Sequence, residues 1–163
     1  MRHLFFALLL SMSTLTSADT DLKKVGEAQL KVLFWKVYNS RLFSADGSYT
    51  DGQRPVKLEI EYLRDIDADQ LVERTAAEWQ SQGLAHPRQD QWLQSLAALW
   101  PDVSKNDVIA LQLDQDDRSS FFINGTFLGY VEDPAFGQSF INIWLAPNTT
   151  RPELRELLIG SAR

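Results

Sequence analysis

The sequence predicts an α+β domain, an antiparallel sheet with helices gathered against it. Three observations carry that prediction. The apolar period switches along the chain: strand-like over 26–43 and 56–64, helical over 67–100, strand-like again over 107–132, then helical to 160. Strands in two blocks, each followed by helices, make an α+β order rather than a βαβ alternation. Asn124-Gly125 between FFI and TFLGYV is a two-residue hairpin signal, because that turn needs positive φ, so neighbouring strands run antiparallel. The helical segments each carry a strong apolar face, which must be buried, and one face of the sheet is what can bury it.

In chain order, residues 26–34 and 36–43 read as two strands with a bend near Trp35. SADGSYTDGQRP (44–55), rich in Gly, Asp and Ser and closed by Pro55, is a loop. VKLEIEYLR (56–64) alternates cleanly, with Leu58, Ile60, Tyr62 and Arg64 on one face and Lys57, Glu59 and Glu61 on the other. Asp67 with Gln70 forms a capping-box pattern, and Leu71, Val72, Thr75, Ala76 and Trp79 recur at helical spacing until Gly83. A second helix spans about Arg88 to Trp100 and stops at Pro101, which cannot supply the next backbone donor. Strands follow at 107–114, 119–124 and 126–132. Asp133-Pro134 opens a helix whose inner face is Phe136, Phe140, Ile143 and Trp144. Thr150 with Glu153 reads as a capping box before RPELRELL, and Gly160 as the stop.

Composition bounds the function. Arg2 and His3 precede the apolar run Leu4–Leu10, and Thr16-Ser17-Ala18 supplies small residues, the pattern of a signal peptide over residues 1–18 cleaved after Ala18. The run is too short to span a membrane, which takes about 20 residues. Residues 19–163 then form a single domain, and the expected location is periplasmic or secreted, soluble after cleavage. Removing one of 16 basic residues and none of 22 acidic ones leaves a net charge of −7. An acidic chain argues against nucleic acid, whose phosphates demand cations. It has no basic run to hold an anionic membrane. With no cysteine, thiol nucleophiles, iron–sulfur clusters and cysteine zinc sites are excluded.

Five segments together resemble the bacterial exported chalcone isomerase-like family. They are KVYNSRLF (36–43), LEIEYLRDI (58–66), LWPDVSKNDVI (99–109), FFINGTFLGYVEDPAFGQSFINIWL (121–145) and RPELRELLIG (151–160). The resemblance implies an antiparallel sheet curled over a layer of helices, the open-faced β-sandwich of chalcone isomerase-like proteins. It also implies a cleft between sheet and helices. Plant enzymes of the family cyclise chalcones with an arginine that stabilises the oxyanion. Relatives without that activity bind fatty acids there, with arginine and tyrosine on the carboxylate. The region matching the enzymes' arginine, Val25 to Gln29, holds none, so no catalytic residue carries over.

The candidate ligand-binding residues are Arg41, Arg64, Tyr38 and Tyr62. A guanidinium is a planar fork matched to a carboxylate and keeps its charge in an apolar cleft. Two strands each place one inside an apolar pattern, and phenols are candidate hydroxyl donors. Alternation puts Tyr62 on the face of Arg64 but Tyr38 opposite Arg41, so the four do not easily converge. The competing reading pairs each arginine with a protein carboxylate such as Glu61, Asp65 or Asp67. The aromatics Trp35, Trp79, Trp92, Trp100, Trp144, Phe121, Phe122, Phe127, Phe136 and Phe140 read as core or as cleft lining. His86, alone after cleavage, offers no zinc site; an ordinary loop position competes with an axial haem ligand. DQDD (114–117) reads as an acidic hairpin tip, and the sequons at Asn124 and Asn148 as turn and cap residues.

The expectation is therefore a periplasmic protein with no cofactor and no metal, binding a small amphipathic acid of fatty-acid type. Two other classes stay open: a cofactor-free isomerase or lyase using Arg41 or Arg64 on an oxyanion, and a protein-interaction module or haem binder. The protein partner is unknown.

Overall fold

In the computed structural model, residues 21–161 are described; the expected signal peptide, residues 1–18, lies outside them. Six strands form one sheet in sequential order: β1 (Lys23–Val32), β2 (Trp35–Ser44), β3 (Val56–Tyr62), β4 (Val108–Leu113), β5 (Ser119–Ile123) and β6 (Thr126–Val131). Every neighbouring pair is antiparallel. The helices are α1 (Ala68–Ser81), α2 (Gln89–Leu99), α3 (Pro134–Leu145) and α4 (Pro152–Leu158). This is the α+β architecture expected, an open sheet with four helices.

Alternation fixes the two faces. Ser40, Leu42, Val56, Leu58, Ile60, Ile109, Leu111, Leu113, Ser119 and Phe121 are buried at inward positions of four successive strands. Helix α3 answers them with Phe136, Phe140, Ile141 and Ile143, and α4 with Leu154 and Leu158. Trp79, Trp92 and Phe136 meet edge to face with centroids 5.7–6.4 Å apart, the geometry that the ring quadrupole favours. The opposite face is a polar ladder. Gln29 donates to Asn39 (2.7 Å), and Asn39 donates to Glu61 (3.3 Å).

Several boundaries differ from expectation for identifiable reasons. Strand β3 ends at Tyr62 rather than Arg64, because Ile66 bridges to Val103 and the chain turns toward α1. Asp67 occupies the N-cap of α1, but the side chain that accepts from the Ala68 N–H is Asp102, at 2.8 Å, so no capping box forms. Thr150 also caps nothing; its hydroxyl donates to Glu78 Oε2 at 2.7 Å. Asp133 does cap α3, accepting from Ala135 N–H at 3.0 Å with Pro134 in the first turn. The Asn124-Gly125 turn has positive φ at both residues (49° and 80°), as the dipeptide predicts.

Candidate functional site

Beneath the sheet, between its inner face and helices α1 and α3, lies a cavity of about 380 Å³. Its walls come from β1 to β5 (Leu30, Leu58, Ile60, Ile109, Leu111, Phe121), from Trp100, and from α1 and α3 (Leu71, Phe140, Ile143, Trp144). The volume sits within the range of small-molecule sites, and the lining is mainly apolar, as such sites are. Val32, Gln70 and Arg74 are lining residues that are also exposed, so the opening lies between the β1–β2 hairpin and α1.

The polar lining is sparse. Tyr38 and Tyr62 face each other as a cross-strand pair of β2 and β3, and both line the cavity. Tyr38 accepts a hydrogen bond from Trp144 Nε1 at 3.0 Å. Among the described residues neither phenol donates a hydrogen bond, which leaves two O–H groups available to an occupant. Burial pushes the Tyr38 hydroxyl up to about 12, against the opposing effect of the Trp144 hydrogen bond. Burial also pushes Tyr62 up, with Tyr38 adding to it. At neutral pH both are therefore neutral donors, not bases. Trp100 presents a third unused donor, a buried indole N–H with no partner; such groups are rare in folded chains.

Three charged side chains border the cavity: Arg74, Glu78 and Arg151. Glu78 is nearly buried and pairs with Arg74 one helical turn earlier, while Thr150 donates to its other oxygen. Arg151, immediately before Pro152 of α4, has no carboxylate partner among the described residues. The charged lining thus sums to +1, two guanidiniums against one carboxylate. An apolar chamber with one uncompensated cation and free phenol donors is suited to hold a monoanion.

The expected arginines are elsewhere. Arg41 projects from the opposite face of β2 and spans Glu59 and Glu61, each at 3.4 Å. Strand alternation dictates this, since Tyr38, Ser40 and Leu42 point inward. Arg64 is exposed on the bend after β3, because the strand stops two residues before it. Neither lines the cavity, nor do they meet; of the four residues expected, only Tyr38 and Tyr62 line it, and Arg151 lines it with them. The helix-start motif Arg151-Pro152 was the only sequence signal for that residue, and it points to helix initiation rather than binding. Of the aromatics, Trp79, Trp92 and Phe136 are core, whereas Trp100, Trp144, Phe121 and Phe140 line the cavity. Trp35 and Phe127 are neither, being 70% and 47% exposed. His86 stacks on Trp92 with centroids 4.3 Å apart, and its Nδ1 accepts from the Arg88 N–H. Among the described residues no three His, Cys, Asp or Glu side chains cluster as metal ligands. Asp114 accepts from the N–H groups of Asp116 and Arg118, which accounts for the acidic hairpin tip.

An open antiparallel sheet with helices packed beneath it and a mainly apolar chamber between the two layers defines an α+β class of open-faced folds. Within that class, the sequence matches the family described as chalcone isomerase-like over residues 11–160, and the chain belongs to that family. It is 31% identical to an uncharacterized protein of Haemophilus influenzae, a match over all of this chain and 79% of the relative. In three dimensions it is similar to the crystal structure of an Arabidopsis thaliana fatty-acid binding protein. The TM-score is 0.68 at 14% identity, covering 88% of this chain and 89% of the plant one. That likeness shows the fold. No helix among the described residues is long and apolar enough to cross a membrane.

Proposed function

We propose that this chain is a periplasmic binding protein for a medium-chain fatty acid or a similar amphipathic monoanion. The observation that carries the reading is the +1 lining of an otherwise apolar cavity, with Arg151 left without a carboxylate. The ligand carboxylate sits against Arg151 and accepts from Tyr38 and Tyr62; its alkyl chain runs along Leu58, Ile60, Leu111 and Phe121. A chamber of about 380 Å³ lies toward the lower end of small-molecule sites, which suits an acid of medium rather than long chain. The fatty-acid binding named for the plant structure is consistent with this use of the fold. The basic start and apolar run of residues 1–18 support export.

The test is titration with decanoic acid and with decanol, following tryptophan fluorescence or calorimetry. The wild-type chain binds the acid more tightly than the alcohol. Arg151→Met weakens acid binding roughly ten- to hundredfold, the size of a lost charge-assisted hydrogen bond, and leaves the alcohol almost unchanged. Equal affinity for acid and alcohol in the wild type would sink the anion role of the site.

A further inference from the structure

The most conspicuous surface feature is the tip of the β1–β2 hairpin. Six consecutive residues, Lys31-Val32-Leu33-Phe34-Trp35-Lys36, are exposed. Leu33 is 87%, Phe34 98% and Trp35 70% exposed, and Val32 44%. Scattered apolar residues on a surface are ordinary, but four large ones in sequence at a turn are not. The turn residue Leu33 also has φ 55°, a conformation that glycine or asparagine adopts at far lower cost. Turn chemistry thus does not explain the choice of residue.

Geometry makes the tip a projection. Strand β3 pairs with β2 only from Tyr38 onward, so the hairpin runs past the end of the sheet. Charge then indicates what it meets: the chain has no basic run, but two lysines flank the apolar tip itself. Lys31 and Lys36 stand directly opposite each other across the hairpin, and like charges so placed repel. Neither lysine has a carboxylate partner among the described residues. No acidic residue occurs between Ala28 and Ala45, in a chain with 22 acidic residues overall. Aromatic and aliphatic side chains flanked by lysines match the boundary between lipid tails and anionic headgroups, where Trp rings settle and lysine stems reach outward.

The tip is continuous with the cavity. Val32 is both a tip residue and a lining residue, and Gln70 and the Glu78-paired Arg74 border the same opening. We infer that the hairpin tip inserts shallowly into the interface of an anionic lipid bilayer, with Leu33, Phe34 and Trp35 among the acyl chains and Lys31 and Lys36 on the headgroups. Docking in this way brings the cavity opening to the surface from which an amphipathic acid leaves or enters. The purpose of the docking rests on the proposed fatty-acid reading; the docking itself does not.

The test uses the full described domain and vesicles of phosphatidylcholine, alone or mixed with phosphatidylglycerol, in a flotation assay. Trp35 is the one strongly exposed indole among the described residues, so insertion also shifts tryptophan emission to the blue, and Trp35→Phe removes that shift. Wild type floats with the mixed vesicles, less so as salt rises. Leu33→Ser and Phe34→Ser each weaken flotation at least about tenfold, with decanoic acid affinity and circular dichroism unchanged. Lys31→Gln with Lys36→Gln removes the preference for anionic lipid. Flotation that survives the serine variants, or no flotation by the wild type, overturns the inference. So does a tip that instead joins two copies of the chain, read as a dimer by sedimentation that Phe34→Ser dissociates. If vesicles bind but decanoic acid does not, the ligand reading falls and the docking stands; the converse result removes the docking alone.

Discussion

Replacing Gly26 with alanine tests whether helix α4, and with it Arg151, is seated as described. Gly26 lies in β1 beside a register irregularity between Lys24 and Gly26. A Cβ there would sit 2.2 Å from the Leu157 carbonyl oxygen and 2.5 Å from that of Leu158. These are backbone atoms of the last turn of α4 and cannot swing aside. Reaching ordinary contact at 3.4 Å requires strand and helix to part by about 1.2 Å. Two effects oppose each other. Alanine in a strand is favoured over glycine by about 0.5–1 kcal/mol, through the smaller entropy of its unfolded chain. Overpacking of this kind costs about 1–3 kcal/mol. Separation also loosens Leu154 and Leu158, which α4 buries in the core. The clash therefore wins, with a net loss of about 1–2 kcal/mol. Arg151 precedes the first turn of the same helix, and a displacement of this size exceeds the tolerance of a charge-assisted hydrogen bond. Gly26→Ala should therefore lower decanoic acid affinity about tenfold even where the chain is fully folded. Urea denaturation followed by fluorescence gives the first quantity and calorimetry the second. A variant more stable than wild type by the alanine increment would mean that β1 and α4 are not in close contact, and the placement of Arg151 would fail with them.

Three further outcomes are expected. Stability should fall at alkaline pH: Tyr38 ionises near 10 when unfolded and near 12 when folded, so below pH 10 both states are protonated. Between those values only the unfolded state loses its proton, at a total cost of about 3 kcal/mol; urea midpoints from pH 9 to 12 should decline, and less steeply in Tyr38→Phe. Asp133→Ala should cost about 2–4 kcal/mol, because it removes the cap of α3 and the acceptor of the Trp92 indole N–H at 2.7 Å; thermal melting reads this. Arg41→Met should change stability by no more than about 1 kcal/mol, as half-exposed ion pairs do, and leave decanoic acid affinity as it was. An affinity loss there would return the anchor to the sheet's outer face.

The contrast between Arg41 and Arg151 shows where the sequence stops being legible. Periodicity reports which face of its own strand a residue occupies, so the outward position of Arg41 and the inward positions of Leu58, Ile60 and Tyr62 are local facts. The Asn124-Gly125 turn and the Asp133-Pro134 helix start are equally local, since each depends on backbone preferences within a few residues. The pairing of Tyr38 with Tyr62 is one step less local. It depends on how many residues the 44–55 loop consumes, because a slip of one residue would turn Tyr38 away from the cavity. Arg151 is beyond reach of such reasoning. Its neighbours Tyr38 and Glu78 belong to a strand and a helix far from it in the chain, and Trp144 to the helix just before its own; only tertiary packing brings the four together. A guanidinium before a helix-opening proline has nothing in its own neighbourhood that marks it as a cavity residue. The same holds for Thr150, which reads as a cap but is drawn away by Glu78. A polar group near a helix end takes the partner that tertiary packing offers, and here the buried Glu78 carboxylate needs the hydroxyl more than the exposed first turn of α4 does. The sheet is therefore written in the strands, whereas the site exists only where the last helix closes over them.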